Sequence, residues 1–190
     1  RILTQARQYG NFVRIDMEDY KHNEASLAMF RALHAEFPGT VGIVLQAYLY
    51  KTERDLNALK RLKPNIRLVK GAYKEPPEVA FPLKADVDAN FIKLIRTHLT
   101  NGLYAAVATH DLLIIEETKA FAEKHGIPRS QFEFQMLYGI RPDVQRALAK
   151  EGYTVRVYVP FGKDWYGYFM RRLAERPANV QFVLKSLFKR

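Results

Sequence analysis

The segment Phe132-Glu-Phe-Gln-Met-Leu137 alternates between apolar and polar side chains. In an extended strand the apolar side chains at positions 132, 134 and 136 lie on one face, and Glu133 and Gln135 lie on the other. Residues 13–18 and 155–159 alternate in the same way, with Arg14, Asp16, Glu18, Arg156 and Tyr158 on the polar faces. Each of these strands therefore needs apolar cover on one side and polar partners on the other.

Six short runs rich in β-branched and apolar residues are each followed by a longer segment with helical periodicity. The predicted strands are Phe12–Met17, Val41–Ala47, Ile66–Val69, Leu103–Ala108, Phe132–Met136 and Thr154–Val159. The predicted helices are Glu24–Glu36, Glu53–Leu62, Val87–His98, Leu113–His125, Arg141–Lys150 and Asp164–Glu175. Strands that alternate with helices in this way are typical of βαβ units and a parallel sheet.

Two parallel architectures are compatible with this order, an open doubly wound sheet and a closed (β/α)8 barrel. The Gly-x-Gly-x-x-Gly turn typical of dinucleotide-binding open sheets is absent from the sequence. Strands with one polar face favour a TIM-like barrel, because the polar faces then meet in a common interior where buried charges pair. There we expect three arginines to pair with three acids: Arg14, Arg67 and Arg156 with Asp16, Glu18 and Glu133. Edge strands with one wet face are the alternative.

The number of units is smaller than a complete barrel requires. A typical (β/α)8 barrel has eight units and about 250 residues, and the 190 residues of this chain hold six predicted units. We therefore predict that the chain contains the third to the eighth βα units. On this prediction residues 1–190 are the C-terminal three-quarters of a single barrel domain.

Composition limits the classes of function. Apolar residues make up 48% of the chain and there is no cysteine, which excludes disulfides, thiolate metal sites and thiol nucleophiles. No apolar run is long enough to span a bilayer, so we expect a soluble protein. The net charge of +10 indicates an anionic partner. Because the basic residues are scattered, nucleic-acid binding is a weaker alternative than a phosphorylated cofactor or an acidic substrate.

In a barrel of parallel strands the active site lies where each strand gives way to its loop. The residues at these ends are Asp16, Met17, Glu18, Gln46, Lys70, Gly71, Ala72, Tyr73, Thr109, His110, Asp111, Gln135, Leu137 and Tyr158–Gly162. Two chemistries remain open for them. Lys70 is a candidate Schiff-base lysine with Asp16 or Glu18 as proton-transfer partner. A metal site built from Asp16, Glu18, His110 and Asp111 has less support, because one strand-end histidine is few for a metal hydrolase.

The last predicted helix carries a further candidate site. Arg171 and Arg172 are adjacent, and Glu175 follows them by four and three residues, so that its carboxylate restrains an arginine on the same helical face. Two guanidinium groups directed at one ligand are typical of carboxylate or phosphate recognition. A solvated helix face is the alternative interpretation.

Seven segments, taken in order, resemble the proline dehydrogenase family of flavoenzymes, and its monofunctional bacterial form more than the bifunctional one. They are Arg14-Ile-Asp16-Met-Glu18, Leu45-Gln-Ala-Tyr48, Arg67-Leu-Val-Lys-Gly-Ala-Tyr73, Ala108-Thr-His-Asp111, Phe132-Glu-Phe-Gln-Met-Leu-Tyr-Gly139, Arg156-Val-Tyr-Val-Pro160 and Arg171-Arg-Leu-Ala-Glu175. The resemblance implies that the protein is an FAD-binding oxidoreductase, which oxidises L-proline to pyrroline-5-carboxylate in the first step of proline catabolism.

The resemblance also implies a role for each site residue. Asp16 and Arg67 would be catalytic. The residues implied to bind the cofactor are Met17, Gln46, Arg67, Lys70, Gly71, Ala72, Thr109 and His110. The residues implied to bind the substrate are Arg171, Arg172, Tyr158, Leu137 and Glu175. No metal is expected.

The implied partners are L-proline and a quinone-type electron acceptor, without nucleic acid. A homo-oligomer is left open. We expect a cytoplasmic location, and association with the inner face of the cell membrane through the apolar segment Val183–Phe188 and its basic neighbours is left open.

Overall fold

The structure is a computed structural model that describes residues 1–163, 166, 167 and 170. The chain divides into two compact units, Arg1–Val157 and Tyr158–Arg190. The first unit contains all the helices described below and five complete strands, and the sixth strand ends at the first residue of the second unit. The predicted helix Asp164–Glu175 lies almost wholly outside the described residues.

Helices and strands alternate along the first unit. The strands are β1 (Val13–Ile15), β2 (Val41–Gln46), β3 (Ile66–Val69), β4 (Ala105–Ala108), β5 (Phe132–Leu137) and β6 (Val155–Tyr158). The helices are α1 (Ile2–Gln8), α2 (Tyr20–Glu36), α3 (Thr52–Leu59), α4 (Lys84–Thr100), α5 (Leu112–Lys124) and α6 (Pro142–Lys150). Short 3-10 helices at Lys60–Leu62 and Arg129–Gln131 precede β3 and β5. All six predicted strands and the first five predicted helices are confirmed.

The six strands form one sheet in chain order, β1-β2-β3-β4-β5-β6, and the four pairs from β1 to β5 are parallel. Sequential order is what a (β/α)8 barrel requires, whereas a doubly wound sheet reverses its order at a switch point. The barrel-type fold class with six units is therefore confirmed for this chain. The assignment of residues 1–190 to one barrel domain stays a prediction.

The core lies between the apolar face of the sheet and the helices. Leu27 and Phe30 of α2 are fully buried, as are Phe91 and Leu94 of α4. On the sheet, the apolar residues of β5 at positions 132, 134 and 136 are at most 1% exposed, as their alternation predicts. In the part of the chain that the structure describes, no helix combines the length and apolar character needed to cross a membrane.

Helix α1 is the one described α-helix that the sequence analysis did not predict. It spans seven residues, and its buried side chains are Leu3 and Ala6. The Arg7 guanidinium lies over the ring of Phe37 at 4.8 Å from the ring centroid. Two buried positions in seven residues give too short a pattern for helical periodicity to be recognised. Helix α1 directly precedes β1, so the alternation of helices and strands begins with a helix.

Candidate active site

Arg67 on β3 is held from two other strands. Its Nη1 donates to Asp16 Oδ1 at 2.6 Å, beyond the end of β1, and its Nε donates to Gln135 Oε1 on β5 at 2.7 Å. The Arg67 side chain is 15% exposed and that of Asp16 is 55% exposed. Because a carboxylate and an amide hold two edges of one planar group, the guanidinium has a fixed position and orientation. The polar faces of β1, β3 and β5 therefore meet, as their alternation predicts.

The polar contacts continue from Gln135 to Glu133 and Arg156. Gln135 Nε2 donates to Glu133, and the Arg156 guanidinium donates to both carboxylate oxygens of Glu133 at 2.9 to 3.2 Å. Glu133 is 1% exposed. Burial alone would raise its pKa, but the hydrogen bonds from Arg156 and Gln135 outweigh burial and hold the pKa below its ordinary value. Since this face is buried, the alternative of an edge strand with one wet face is wrong for β5.

Four of the six predicted interior charges pair as expected, and two find other partners. Arg14 donates to the backbone oxygen and Oδ1 of Asn65 at 3.2 and 2.7 Å. Burial, with the nearby Arg67 charge, lowers the pKa of Arg14 to about 10. Glu18 accepts a hydrogen bond from the Tyr73 hydroxyl. Asn65, just before β3, is neutral but offers two acceptor atoms to Arg14. A search for opposite charges in the sequence does not find such a partner.

Replacement of Arg156 by methionine should lower the free energy of unfolding by about 1 to 2 kcal/mol at neutral pH, because it leaves the Glu133 carboxylate buried without its main counter-charge. The effect is smaller than for a fully buried pair, since the Arg156 side chain is 62% exposed. The loss in the free energy of unfolding should shrink at acid pH, where Glu133 is protonated. Urea unfolding of the parent and the variant at several pH values measures this loss. Arg96→Met, which breaks an exposed pair with Glu117, is the control, and an equal loss in both variants would contradict this account.

Gln46 at the end of β2 is 2% exposed. Its Nε2 donates to the backbone oxygen of Glu18 at 3.0 Å. Its Oε1 is buried and has no hydrogen-bond partner among the described residues. A buried amide oxygen without a donor costs free energy unless a ligand supplies one. Gln46 is therefore suited to accept a hydrogen bond from a bound molecule.

Lys70 follows β3 and lies between two carboxylates. Its Nζ is 2.5 Å from Asp88 Oδ1 on α4 and 2.8 Å from Asp111 Oδ2 at the start of α5. The Lys70 hydrogen bond lowers the pKa of Asp111. Burial alone would raise the pKa of Asp88, but the neighbouring Lys70 and Lys84 charges outweigh burial and lower it. Both carboxylates engage the Lys70 nitrogen, whereas imine formation requires a nitrogen that is free to attack a carbonyl carbon. This arrangement disfavours the Schiff-base alternative.

The segment Thr109-His110-Asp111 is ordered by backbone contacts. Thr109 Oγ1 accepts from the Asp111 amide at 3.1 Å, and Asp111 Oδ1 accepts from the Leu113 amide at 3.1 Å, which caps α5. The Leu137 amide donates to His110 Nε2 at 2.9 Å, so the neutral ring carries its proton on Nδ1. Across the described part of the chain, no three His, Asp or Glu side chains are placed to hold a metal ion.

The loop that follows β3 packs on the residues that follow β2. Gly71 has φ of +115°, and a side chain there would meet the ring of Tyr48 at 2.3 Å. Tyr48 packing therefore accounts for this glycine, and the role of Gly71 at a cofactor stays a prediction. Ala72 beside it is exposed.

The remaining predicted site residues lie in different places. Met17 is 6% exposed and packs in the hydrophobic core, and its contact with a cofactor stays a prediction. Leu137 ends β5 and is partly buried. Tyr158 is the first residue of the second unit and is 38% exposed. Arg171, Arg172 and Glu175 lie outside the described residues, so their predicted roles stay predictions.

Asp88 is a site residue that the sequence analysis did not identify. It lies 18 positions after Lys70, on a helix rather than at a strand end. The available signal was its spacing from Lys84, because Lys84 and Asp88 form an i,i+4 ion pair in the first turns of α4. That spacing indicates a helix-stabilising pair and contains no information about the neighbouring strand.

Comparison with known families matches residues 1–185 to the model of the proline dehydrogenase family. The chain belongs to the proline dehydrogenase family. It is 57% identical over 189 residues to Proline dehydrogenase 1 of Bacillus subtilis subsp. natto, and 53% identical over 190 residues to Proline dehydrogenase of Deinococcus radiodurans. These matches cover the whole chain and 62% and 61% of the two relatives.

Solved structures of proline utilization A (PutA) share the fold of this proline dehydrogenase family member. PutA from Bdellovibrio bacteriovorus, inactivated by N-propargylglycine, matches 90% of the chain and 20% of its own length, with a TM-score of 0.85 and 32% identity. PutA from Corynebacterium freiburgense matches 92% of the chain and 21% of its own length, with a TM-score of 0.76 and 26% identity. Identity is thus higher to the relatives named proline dehydrogenase than to these PutA proteins, as the monofunctional resemblance implies.

Proposed function

We propose that the protein is a flavin-dependent proline dehydrogenase that uses FAD to oxidise L-proline to pyrroline-5-carboxylate. The observation that supports this most directly is the fixed position of Arg67 on β3, held by Asp16 beyond the end of β1 and by Gln135 on β5. Family membership supports the substrate class. The chain spans about three-fifths of the length of its curated relatives, and the activity is proposed for the protein on that basis.

The residues at the strand ends fit a flavin. The unpartnered Gln46 Oε1 needs an N–H donor, and the isoalloxazine ring of a flavin has one in its pyrimidine portion. Arg67 supplies N–H donors and a positive charge, and the dinucleotide phosphates of FAD match the net charge of +10. We therefore assign Gln46 and Arg67 to the ring. Lys70, Gly71, Ala72, Thr109, His110 and Met17 are proposed to line the remainder of the cofactor.

The protein's part in the reaction is binding, orientation and electrostatics. Oxidation removes a hydride from the ring carbon next to nitrogen and a proton from the nitrogen; bound FAD supplies the two-electron acceptor. Arg67 places a fixed positive charge where negative charge accumulates, so it stabilises the transition state more than the ground state. Asp16 holds Arg67 in place. Arg171 and Arg172, with Glu175 restraining one of them, are proposed to clamp the substrate carboxylate, and Tyr158 and Leu137 to pack on the pyrrolidine ring.

The finer assignments of partners and location are also proposals. We propose a quinone-type electron acceptor, because a dehydrogenase must pass on the electrons that it takes from proline. We also propose a cytoplasmic location with peripheral attachment to the inner face of the membrane, which the basic charge would support, and we leave a homo-oligomer open. Flotation with anionic and neutral vesicles tests the attachment, since charge-driven binding requires the anionic lipid and weakens with salt.

The visible absorption spectrum tests the proposed function. The purified protein should show the two absorption bands of an oxidised flavin, with an intensity that corresponds to about one FAD per chain. Anaerobic L-proline should bleach them, with pyrroline-5-carboxylate as the product. D-Proline at the same concentration is the control, because a carboxylate clamp orients one enantiomer. A chain that binds no FAD, or FAD that L-proline leaves oxidised, would overturn the proposal.

A further inference from the structure

Lys70, Lys84, Asp88 and Asp111 form a four-residue ion-pair cluster, which we call the Lys70 cluster. Lys70 pairs with both aspartates, at 2.5 and 2.8 Å. Lys84 also pairs with both: it is hydrogen-bonded to Asp88, and its Nζ lies 3.5 Å from Asp111 Oδ2. Two positive and two negative groups balance in charge. The cluster connects the end of β3 to the first turns of α4 and α5.

The members of the cluster differ in how firmly they are held. The Asp88 side chain is 14% exposed, those of Lys70 and Asp111 are 26% and 27% exposed, and that of Lys84 is 74% exposed. Asp111 is committed to α5 through its cap on Leu113. Asp88 has no comparable cap among the contacts of the described residues: its Oδ2 accepts a hydrogen bond from Lys84, and its Oδ1 lies in an ion pair 2.5 Å from Lys70 Nζ. The Asp88 carboxylate therefore serves to position the two lysine ammonium groups.

We propose that Asp88 is a positioning residue for cofactor binding, acting through Lys70. An ammonium group has three N–H donors, and among the described residues the partners of Lys70 are the two aspartates. Lys70 donates one N–H to Asp111 Oδ2 at 2.8 Å and its Nζ lies 2.5 Å from Asp88 Oδ1 in an ion pair, so the ammonium group is held between α4 and α5 and keeps N–H capacity for an acceptor on a bound molecule. This inference rests on the proposed function, in which Lys70 lines the FAD site.

The physical reason lies in the freedom of the lysine side chain. A lysine side chain samples many rotamers when it is free, and a group that is already ordered does not lose that freedom again on binding a ligand. Asp88 and Asp111 restrain Lys70 from two helices. Without Asp88, the ammonium group would be free to swing toward Asp111. Removal of Asp88 should therefore weaken a contact that Asp88 itself does not make.

A double-mutant cycle tests this action through Lys70. We expect Asp88→Asn to raise the dissociation constant for FAD about tenfold, the size of one weakened charge-assisted hydrogen bond. In a Lys70→Met background the same substitution should change it by less than about twofold. The measurement is quenching of flavin fluorescence on titration into the flavin-free protein, with thermal unfolding recorded for each variant. If Lys70→Met does not fold, Lys70→Gln takes its place in the cycle.

Asp86→Asn is the matched control, because Asp86 is exposed in the first turn of the same helix; it should leave the dissociation constant unchanged. Asp88→Glu should restore binding in part, since it returns the carboxylate. An Asp88→Asn effect of equal size in both backgrounds would show a role in stability alone and overturn the inference, as would no effect in the parent. A parent chain that binds no FAD would overturn the proposed function as well.

Discussion

Replacement of Arg67 by methionine should slow the reduction of FAD by L-proline about 10²- to 10³-fold, the cost of removing one preorganised donor from a developing negative charge. Arg67 is held in one orientation by hydrogen bonds to Asp16 and Gln135. Its charge therefore needs no rearrangement as the reaction proceeds. Methionine approximates the length of the side chain and removes both the charge and the donors. Anaerobic stopped-flow absorbance at saturating proline measures the effect.

Two further variants separate charge from geometry at this position. Arg67→Lys keeps the positive charge and loses the planar fork that bonds Asp16 and Gln135 together, so we expect an intermediate rate. Arg96→Met, in an exposed ion pair with Glu117 on the outer helices, should reduce FAD at the parent rate. Each variant is compared at equal flavin content. A rate for Arg67→Met within about twofold of the parent would remove Arg67 from the catalytic machinery.

The interior contacts were predictable where residue charge and strand alternation agree. Alternation of residues 132–137 places Glu133 and Gln135 on the polar face, and the structure buries both there. Residues 105–108 are Ala-Ala-Val-Ala, and the register places Ala106 between Arg67 and Glu133 on neighbouring strands. Short side chains on β4 allow Arg67 to reach across it to β5. A search for small residues between charged strands would have predicted this contact.

Contacts made by helices and by backbone atoms were not predictable in the same way. Asp88 meets Lys70 only because α4 packs over β3 with a particular rotation about its own axis, and helical periodicity leaves that rotation undetermined. The contact of Arg14 with Asn65 uses a backbone oxygen, which every residue has. Sequence patterns therefore predicted which strand faces meet, while the packing of the helices determined several of the partners.

His98 on α4 makes the stability of the fold depend on pH. The side chain is 1% exposed, its Nε2 lies 3.1 Å from the backbone oxygen of Tyr104, and its Nδ1 is buried without a partner among the described residues. Burial lowers the pKa of His98 to about 4. The unfolded chain, with an ordinary histidine pKa of about 6.5, therefore binds a proton between these two pH values that the folded chain does not.

The free energy of unfolding should consequently fall by about 3 kcal/mol between pH 6.5 and pH 4, because each pKa unit of difference is worth about 1.4 kcal/mol. The sign follows from the protons: acid favours the state that binds more of them, which here is the unfolded chain. His98→Met should remove most of this slope in urea unfolding at fixed flavin content. Replacement of the exposed His125 by asparagine is the control and should leave the slope intact. If the slope persists in His98→Met, the acid sensitivity comes from the carboxylates of the site, such as Glu133, and not from His98. The pKa of Glu133 is lowered, so its stabilising effect is lost at lower pH.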